Sequence, residues 1–423
     1  MKKNLSINLL NLLLSLSDAM DLAGPELVQH QLRTAFIAWE MGKSAGLSDE
    51  DMAQMFYAAL LHDIGAFSVE EKYELLKTET DMTEEHCLRG EMILNKIPWL
   101  ENAAILVRHH HRKWEDCRTN IDDPMTLGSH IIFLADFLER SINRKTYILH
   151  QSRELTSRIV EKTGSVFHPD VTDLLLSAGI REEFWLDMVS NRLYSYLLHH
   201  GPHREFEIDS VSLLTISEIF SDIIDFRSRF TSTHSSGVAA SAVFLSKLFG
   251  LTEPELLLME IAGRLHDLGK LAIPNSILEK PGKLTPEEFA VIKSHTYYTY
   301  SIMNSIGGFQ QIQEWAAFHH ERLDGSGYPF HCNAGELSIE SRIMMVADMF
   351  TAMEEDRPYR KGMDKQEIIR IFSAFSNRGL LEKRIVDLVI ENWDDMSAYM
   401  KQRQEAARTF YEKQFLLPEK AKV

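Results

Sequence analysis

Between residues 234 and 348 the chain carries His234, His266, Asp267, His295, His319, His320 and Asp348. A lone histidine on a helix is usually a core or surface residue, but here two adjacent pairs sit in apolar surroundings. His266-Asp267 follows Ile261, Ala262 and Leu265, which places the pair inside an apolar helix, and His319-His320 follows Trp315, Ala316, Ala317 and Phe318. Asp348 closes an apolar run over 343–347. Burying so many ionisable groups without partners would cost several kcal/mol each. A shared metal site removes that cost, because imidazole and carboxylate suit divalent transition metals. An aspartate beside a histidine can bridge two ions, so these seven ligands suit two metals and a bridging water. Two ions close together lower the pKa of bound water, polarise a phosphoryl group and stabilise a leaving oxygen. Lys270, four residues after His266, would lie one helical turn on, within reach of a phosphate oxygen. Arg357 and Arg360 follow Asp348 by nine and twelve residues and come near the site if that helix ends near Glu355.

The elements that must position these residues are written twice. His234 stands 204 residues after His30, and Leu265-His-Asp-Leu-Gly stands 204 after Leu61-His-Asp-Ile-Gly. Asp18 and Asp21 read against Asp222 and Asp225 at the same spacing. Beyond that the register drifts. His295 reads against His86, His319-His320 against His109-His110, and Asp348 against Asp136. Nearly every segment has helical periodicity and alternating strand patterns are scarce. The expected class is therefore all-α, two tandem helical bundles split near Gly201-Pro202. The domain expectation is 1–204, 205–400 and a charged tail over 401–423. Ser48, Thr252 and Thr285 each stand three residues before a carboxylate and mark helix starts; Pro254 and Pro286 are expected at the first helical position.

Bulk properties exclude other classes. With 423 residues, 44% of them apolar, the chain can bury more than one core. A net charge of -17 argues against duplex nucleic acid or an anionic membrane as partner. Three cysteines imply no disulfide framework and favour a reducing compartment, so the expected location is cytoplasmic. Lys2-Lys3 before a Leu-rich stretch imitates a signal peptide. The run is interrupted by Asn8, Asn11, Ser15 and Ser17, and the repeat begins inside it, so an amphipathic helix kept in the mature chain is expected. This helix and the duplication also make a homodimer plausible.

Three ordered stretches resemble the signatures of the HD-GYP family, a branch of the HD-domain metal hydrolases. They are Leu265-His-Asp-Leu-Gly-Lys270 continuing to Thr285, then His319-His-Glu-Arg-Leu-Asp-Gly-Ser-Gly-Tyr-Pro329, and Ala347-Asp348 with Asp356-Arg-Pro-Tyr-Arg360. The resemblance spans about residues 208–400. It implies hydrolysis of cyclic di-GMP or 3′,3′-cyclic GMP-AMP to a linear dinucleotide or mononucleotide. It implies a metal site usually of iron or manganese, although the ligand types also suit nickel and zinc. By position, His234, His266, Asp267 and Asp348 would hold one metal; Asp267, His295, His319 and His320 would hold the other, with Asp267 bridging. Lys270, Arg357 and Arg360 match phosphate-contacting positions, and Tyr328 matches the tyrosine near the ligand. Trinuclear members carry a glutamate where Phe230 stands, so two metals are expected. Thr351 replaces a usual aspartate, Thr296 a usual proline and Thr299 a usual glycine; these bear on base specificity and product.

The first copy retains a possible ligand set: His30, His62, Asp63, His86, His109, His110 and Asp136. It has Ala66 where Lys270 stands, and residues 111–115 replace the glycine-rich loop. It reads as a degenerate HD-like domain serving dimerisation, sensing or regulation. Two alternatives stay open: hydrolysis of another phosphorylated nucleotide, and a non-catalytic nucleotide-sensing or scaffold module.

Overall fold

The computed structural model describes residues 7–22, 24, 26–77, 84–117, 120–202, 207–226, 233–280, 282–355 and 361–414. Arg357, Arg360 and Phe230 lie outside these residues. Among the described residues the regular elements are helices, apart from the two-residue strands Ile7–Asn8 and Glu207–Ile208. It divides into two compact units, one spanning Asn8–Glu207 and the other made of Ile7 and the chain from Ile208 onward.

In the first unit, helix His30–Gly42 packs against Asp49–Leu60 and Pro124–Ser141. Ser48 caps the second of these, accepting from the Asp51 amide at 3.1 Å. The opening helix Leu9–Asp21 keeps only a narrow polar face, where Asn11 and Asp18 are half-buried seven residues apart. Leu9, Leu10, Leu12, Leu13, Leu14 and Leu16 are all buried, with the helix against His30–Gly42, Asp49–Leu60 and Leu193–His200 of its own unit. The polar interruptions are absorbed by local bonds: Asn8 caps the helix, and Ser17 donates to the Leu60 carbonyl at 2.8 Å.

In the second unit, helix His234–Phe249 packs against Glu253–Leu265, Ile339–Glu354 and Trp393–Gln414. Thr252 and Thr285 form capping boxes with Glu255 and Glu288. Pro286 is the first residue of its helix, whereas Pro254 is the second. The terminal helix Trp393–Gln414 runs through position 401, so no break marks the start of the charged tail. Among the described residues no helix is long and apolar enough to cross a membrane.

Candidate metal centre

Each expected ligand sits at a helix end or on a helix face turned to one point. His234 is the first residue of His234–Phe249. His266 caps the C-terminus of Glu253–Leu265, and Asp267 opens the 3-10 turn Leu268–Ala272. The pair is therefore at a helix terminus and not inside a helix, because the chain must turn there to bring both side chains inward. His295 lies within Pro286–Ile306, His319 and His320 just past Gln310–Ala317, and Asp348 in the middle of Ile339–Glu354.

These residues converge. His234 Nε2 is 3.3 Å from Asp348 Oδ1, and His266 Nε2 is 3.1 Å from Asp267 Oδ2. The other Asp267 oxygen faces His295 Nε2 at 3.3 Å and His319 Nε2 at 3.9 Å. Asp267 thus stands between two histidine pairs with one oxygen toward each. Asp348 also looks both ways, its Oδ2 being 3.8 Å from His320.

The tautomers follow from the backbone. His266, His295 and His319 donate Nδ1–H to the carbonyls of Gly263, Ile292 and Ala316 at 2.8, 2.6 and 2.6 Å. Each then presents an Nε2 lone pair to the centre. His295 Nε2 and His319 Nε2 are 3.3 Å apart with no proton to share between them. His266 Nε2 is shut off from solvent with no hydrogen-bond partner among the described residues. Converging lone pairs in a buried site are what a cation relieves, so these residues fit the divalent metals used by HD-type hydrolases. Burial, with the neighbouring His320 and Lys270, pulls the His295 imidazole down to about 3. Burial acts the same way on His234, but the carboxylates of Glu355 and Asp348 outweigh it and raise that imidazole to about 10.

The structure adds residues that the spacing did not reveal. Glu355 accepts from His234 Nδ1 at 2.8 Å and is held by Gln404 at 2.5 Å. In the first unit the matching histidine, His30, meets Glu139 at 2.6 Å. Glu139 is three residues after Asp136, the position held by Thr351 in the second copy. Glu355 reaches the same histidine from one turn further on, so the lost carboxylate is replaced from a neighbouring position. Glu321 is buried and accepts the Phe330 and Cys332 amides at 2.7 and 3.0 Å, stapling the Gly-Tyr-Pro loop. Gly327 in that loop has no room for a side chain; a Cβ would meet Glu321 Cα at 2.3 Å. The Tyr328 ring lies 4.9 Å from that of His320, and burial beside Asp348 and Asp267 pushes its phenol up. Lys270 Nζ is 2.5 Å from Asp267 Oδ2, reached from a 3-10 turn. Thr296 and Thr299 are both buried in their helix. Thr299 ties that helix to the His266 carbonyl and the Gly269 amide at 3.0 and 2.9 Å.

The first unit repeats the design with one change of register. His30 and His62 face Asp63 Oδ2, both at 3.6 Å, while His86 is 3.9 Å from Asp63 Oδ1. Asp136 Oδ1 is 3.5 Å from His30. The residues gathered with His86 are Cys87, His110 and His111, not His109. His110 donates Nδ1 to the Val107 carbonyl at 2.6 Å, as His319 does to Ala316. His109 is the last residue of Glu101–His109 and points elsewhere, its imidazole lowered to about 4 by burial and by Arg112 and Arg108. The true match is therefore His110-His111 against His319-His320, the same 209-residue spacing as His86 and His295.

Two HD-domain family models match the chain, over residues 27–141 and 218–379. The chain belongs to the HD-domain family. It is 29% identical over 92% of its length to a 3′3′-cGAMP-specific phosphodiesterase of Vibrio cholerae, covering 92% of that protein. It is 37% identical to a cyclic di-GMP phosphodiesterase response regulator of Xanthomonas campestris, over 40% of this chain and 44% of that one. The crystal structure of a cyclic GMP-AMP specific phosphodiesterase of V. cholerae has the same fold over 98% of this HD-domain chain and 99% of that one, with a TM-score of 0.64 at 21% identity.

Proposed function

We propose that the C-terminal HD-GYP half is a metal-dependent phosphodiesterase that hydrolyses a cyclic dinucleotide to a linear dinucleotide or mononucleotide. The observation that carries this is Asp267, one oxygen toward His266 and the other toward His295 and His319. His234, His266, Asp267 and Asp348 would hold one ion and Asp267, His295, His319 and His320 the other, iron or manganese first, with nickel or zinc suited to the same donors. Such a pair supplies Lewis-acid polarisation of the phosphoryl group and an acidified water. Lys270 swings from Asp267 to a phosphate oxygen and neutralises charge there. Tyr328, set against His320, gives the base a ring to pack on, and Arg357 and Arg360 are the further phosphate contacts. The first unit acts as a sensing, regulatory or dimerisation module, lacking both the lysine and the glycine-rich loop. None of the three cysteines forms a disulfide among the described residues, which fits a reducing cytoplasm.

Relatives matched over the whole tandem support 3′,3′-cyclic GMP-AMP as the substrate, and a relative matched over the C-terminal half alone puts cyclic di-GMP next. The test is to incubate manganese- or iron-loaded protein with each cyclic dinucleotide and with linear nucleotides, and to resolve the products. Ring opening of a cyclic dinucleotide ahead of any linear nucleotide is expected. Turnover of linear nucleotides alone would replace this reading with a general phosphohydrolase.

A further inference from the structure

The first unit has a sulfur atom where the second has none. Cys87 follows His86, and the matching position after His295 is Thr296, whose hydroxyl donates to the Lys293 carbonyl. We infer that His86, Cys87, His110 and His111 form a thiolate-containing metal site that takes a thiophilic divalent ion of the zinc class.

Four observations converge on it. The donor atoms of these four residues lie within 4.8 Å of one another, and His86, Cys87 and His110 are buried. Cys87 Sγ is 3.5 Å from His86 Nε2. Two ligands on a tetrahedral zinc, with bonds of about 2.0 Å to nitrogen and 2.3 Å to sulfur, stand about 3.5 Å apart. The Nδ1 of His110 is committed to the Val107 carbonyl, which leaves its Nε2 as a buried lone pair with no partner among the described residues. Both ring nitrogens of His111 are likewise shut off from solvent and unpartnered there.

Charge in the other half of this centre points the same way. Arg140 grips Asp136 through both oxygens, at 3.0 and 2.9 Å, where the second copy has Ala352. A guanidinium already neutralises that carboxylate, which weakens the His30–His62 side for a second divalent ion. Thiolate with imidazole selects zinc over the harder manganese and magnesium. The two centres of one chain therefore differ in the ions they prefer. This does not depend on what the second centre hydrolyses.

Cobalt(II) is the probe, since a thiolate-to-cobalt charge-transfer band in the near ultraviolet reports sulfur ligation and the second centre holds no sulfur. Titrating cobalt into the full-length, metal-free protein should raise that band to one thiolate per chain, and zinc should abolish it at stoichiometric amounts. Cys87→Ser should lose the band; Cys117→Ser and Cys332→Ser should keep it. X-ray absorption of zinc-bound wild-type protein gives the same answer without a variant, as one sulfur scatterer among nitrogens. Cobalt bound without the band, zinc with only nitrogen and oxygen neighbours, or a band that survives Cys87→Ser would each overturn the assignment.

Discussion

The His234 imidazole is fixed by a carboxylate behind it, Glu355, and by Gln404 behind that. Partners of this kind orient a ligand and raise its basicity, and their loss typically costs 10–100-fold in metal affinity or activity. Glu355→Gln should lower metal affinity by about that factor while leaving the fold intact, read by competition with a metal-sensing dye; unchanged affinity would remove the residue from the centre. Asp225 offers a pH test. Burial raises its carboxyl from 3.8 to about 7 against the opposing pull of His234 and the bonds from Ser235. The native state therefore holds this proton more tightly than the unfolded chain. The stability so gained is complete below about pH 4 and is lost as pH rises toward 7. Asp225→Asn lacks that titration, so its melting temperature relative to wild type should climb between pH 4 and pH 8; a constant difference would contradict it. The convergence of the second copy's histidines and aspartates was legible because the repeat and the paired His-Asp and His-His were in plain sight. Three consecutive histidines at 109–111 hid the register of the first copy, since any adjacent two satisfy the pattern. The bond from His110 to Val107, and the gathering of His110 and His111 around His86, separate them. Glu355 was illegible for another reason: its seven-residue distance from Asp348 differs from the three-residue distance of Glu139 from Asp136.

At the level of elements, the centre depends on one close crossing. Gly269 packs so tightly on Pro286–Ile306 that a Cβ there would lie 1.9 Å from the His295 carbonyl oxygen. Gly65 meets the His86 carbonyl oxygen at 2.1 Å by the same construction. Both glycines follow their His-Asp pair by the same two residues, which makes the crossing a requirement of the bundle and not of the chemistry. Gly269→Ala must push the helix carrying His295 away from Asp267. A loss of about 1–3 kcal/mol is expected from overpacking, several degrees of melting temperature, together with weaker metal binding. An unshifted melting curve would mean that the helices are less tightly placed than described. Helix starts were readable from Ser48, Thr252 and Thr285, because a hydroxyl satisfies amides that the helix leaves bare. The ends at Leu60 and Leu265 were not, since the apolar periodicity continues past them while the backbone turns to bring His62-Asp63 and His266-Asp267 inward.

On the scale of the whole molecule, one bundle is used twice with different consequences. Duplication was visible in the sequence, and with it the all-α class. Burial of the leucines of Leu9–Asp21 inside their own unit was not visible, because a helix covered on nearly every side and one covered on a single face can share the same leucine spacing. The second copy keeps Lys270 and the Gly-Tyr-Pro loop; the first has Ala66 in place of the lysine and the glycine-free stretch from Arg112 in place of the loop, and adds Cys87 and Arg140. The most direct measurement compares hydrolysis of 3′,3′-cyclic GMP-AMP by two full-length variants, each with the aspartate of one His-Asp pair replaced. Several kcal/mol of transition-state stabilisation ride on the second centre, so Asp267→Ala should reduce kcat by about a thousandfold or more, while Asp63→Ala stays within a few-fold of wild type. Undiminished turnover by Asp267→Ala, or its loss in Asp63→Ala alone, would contradict the account.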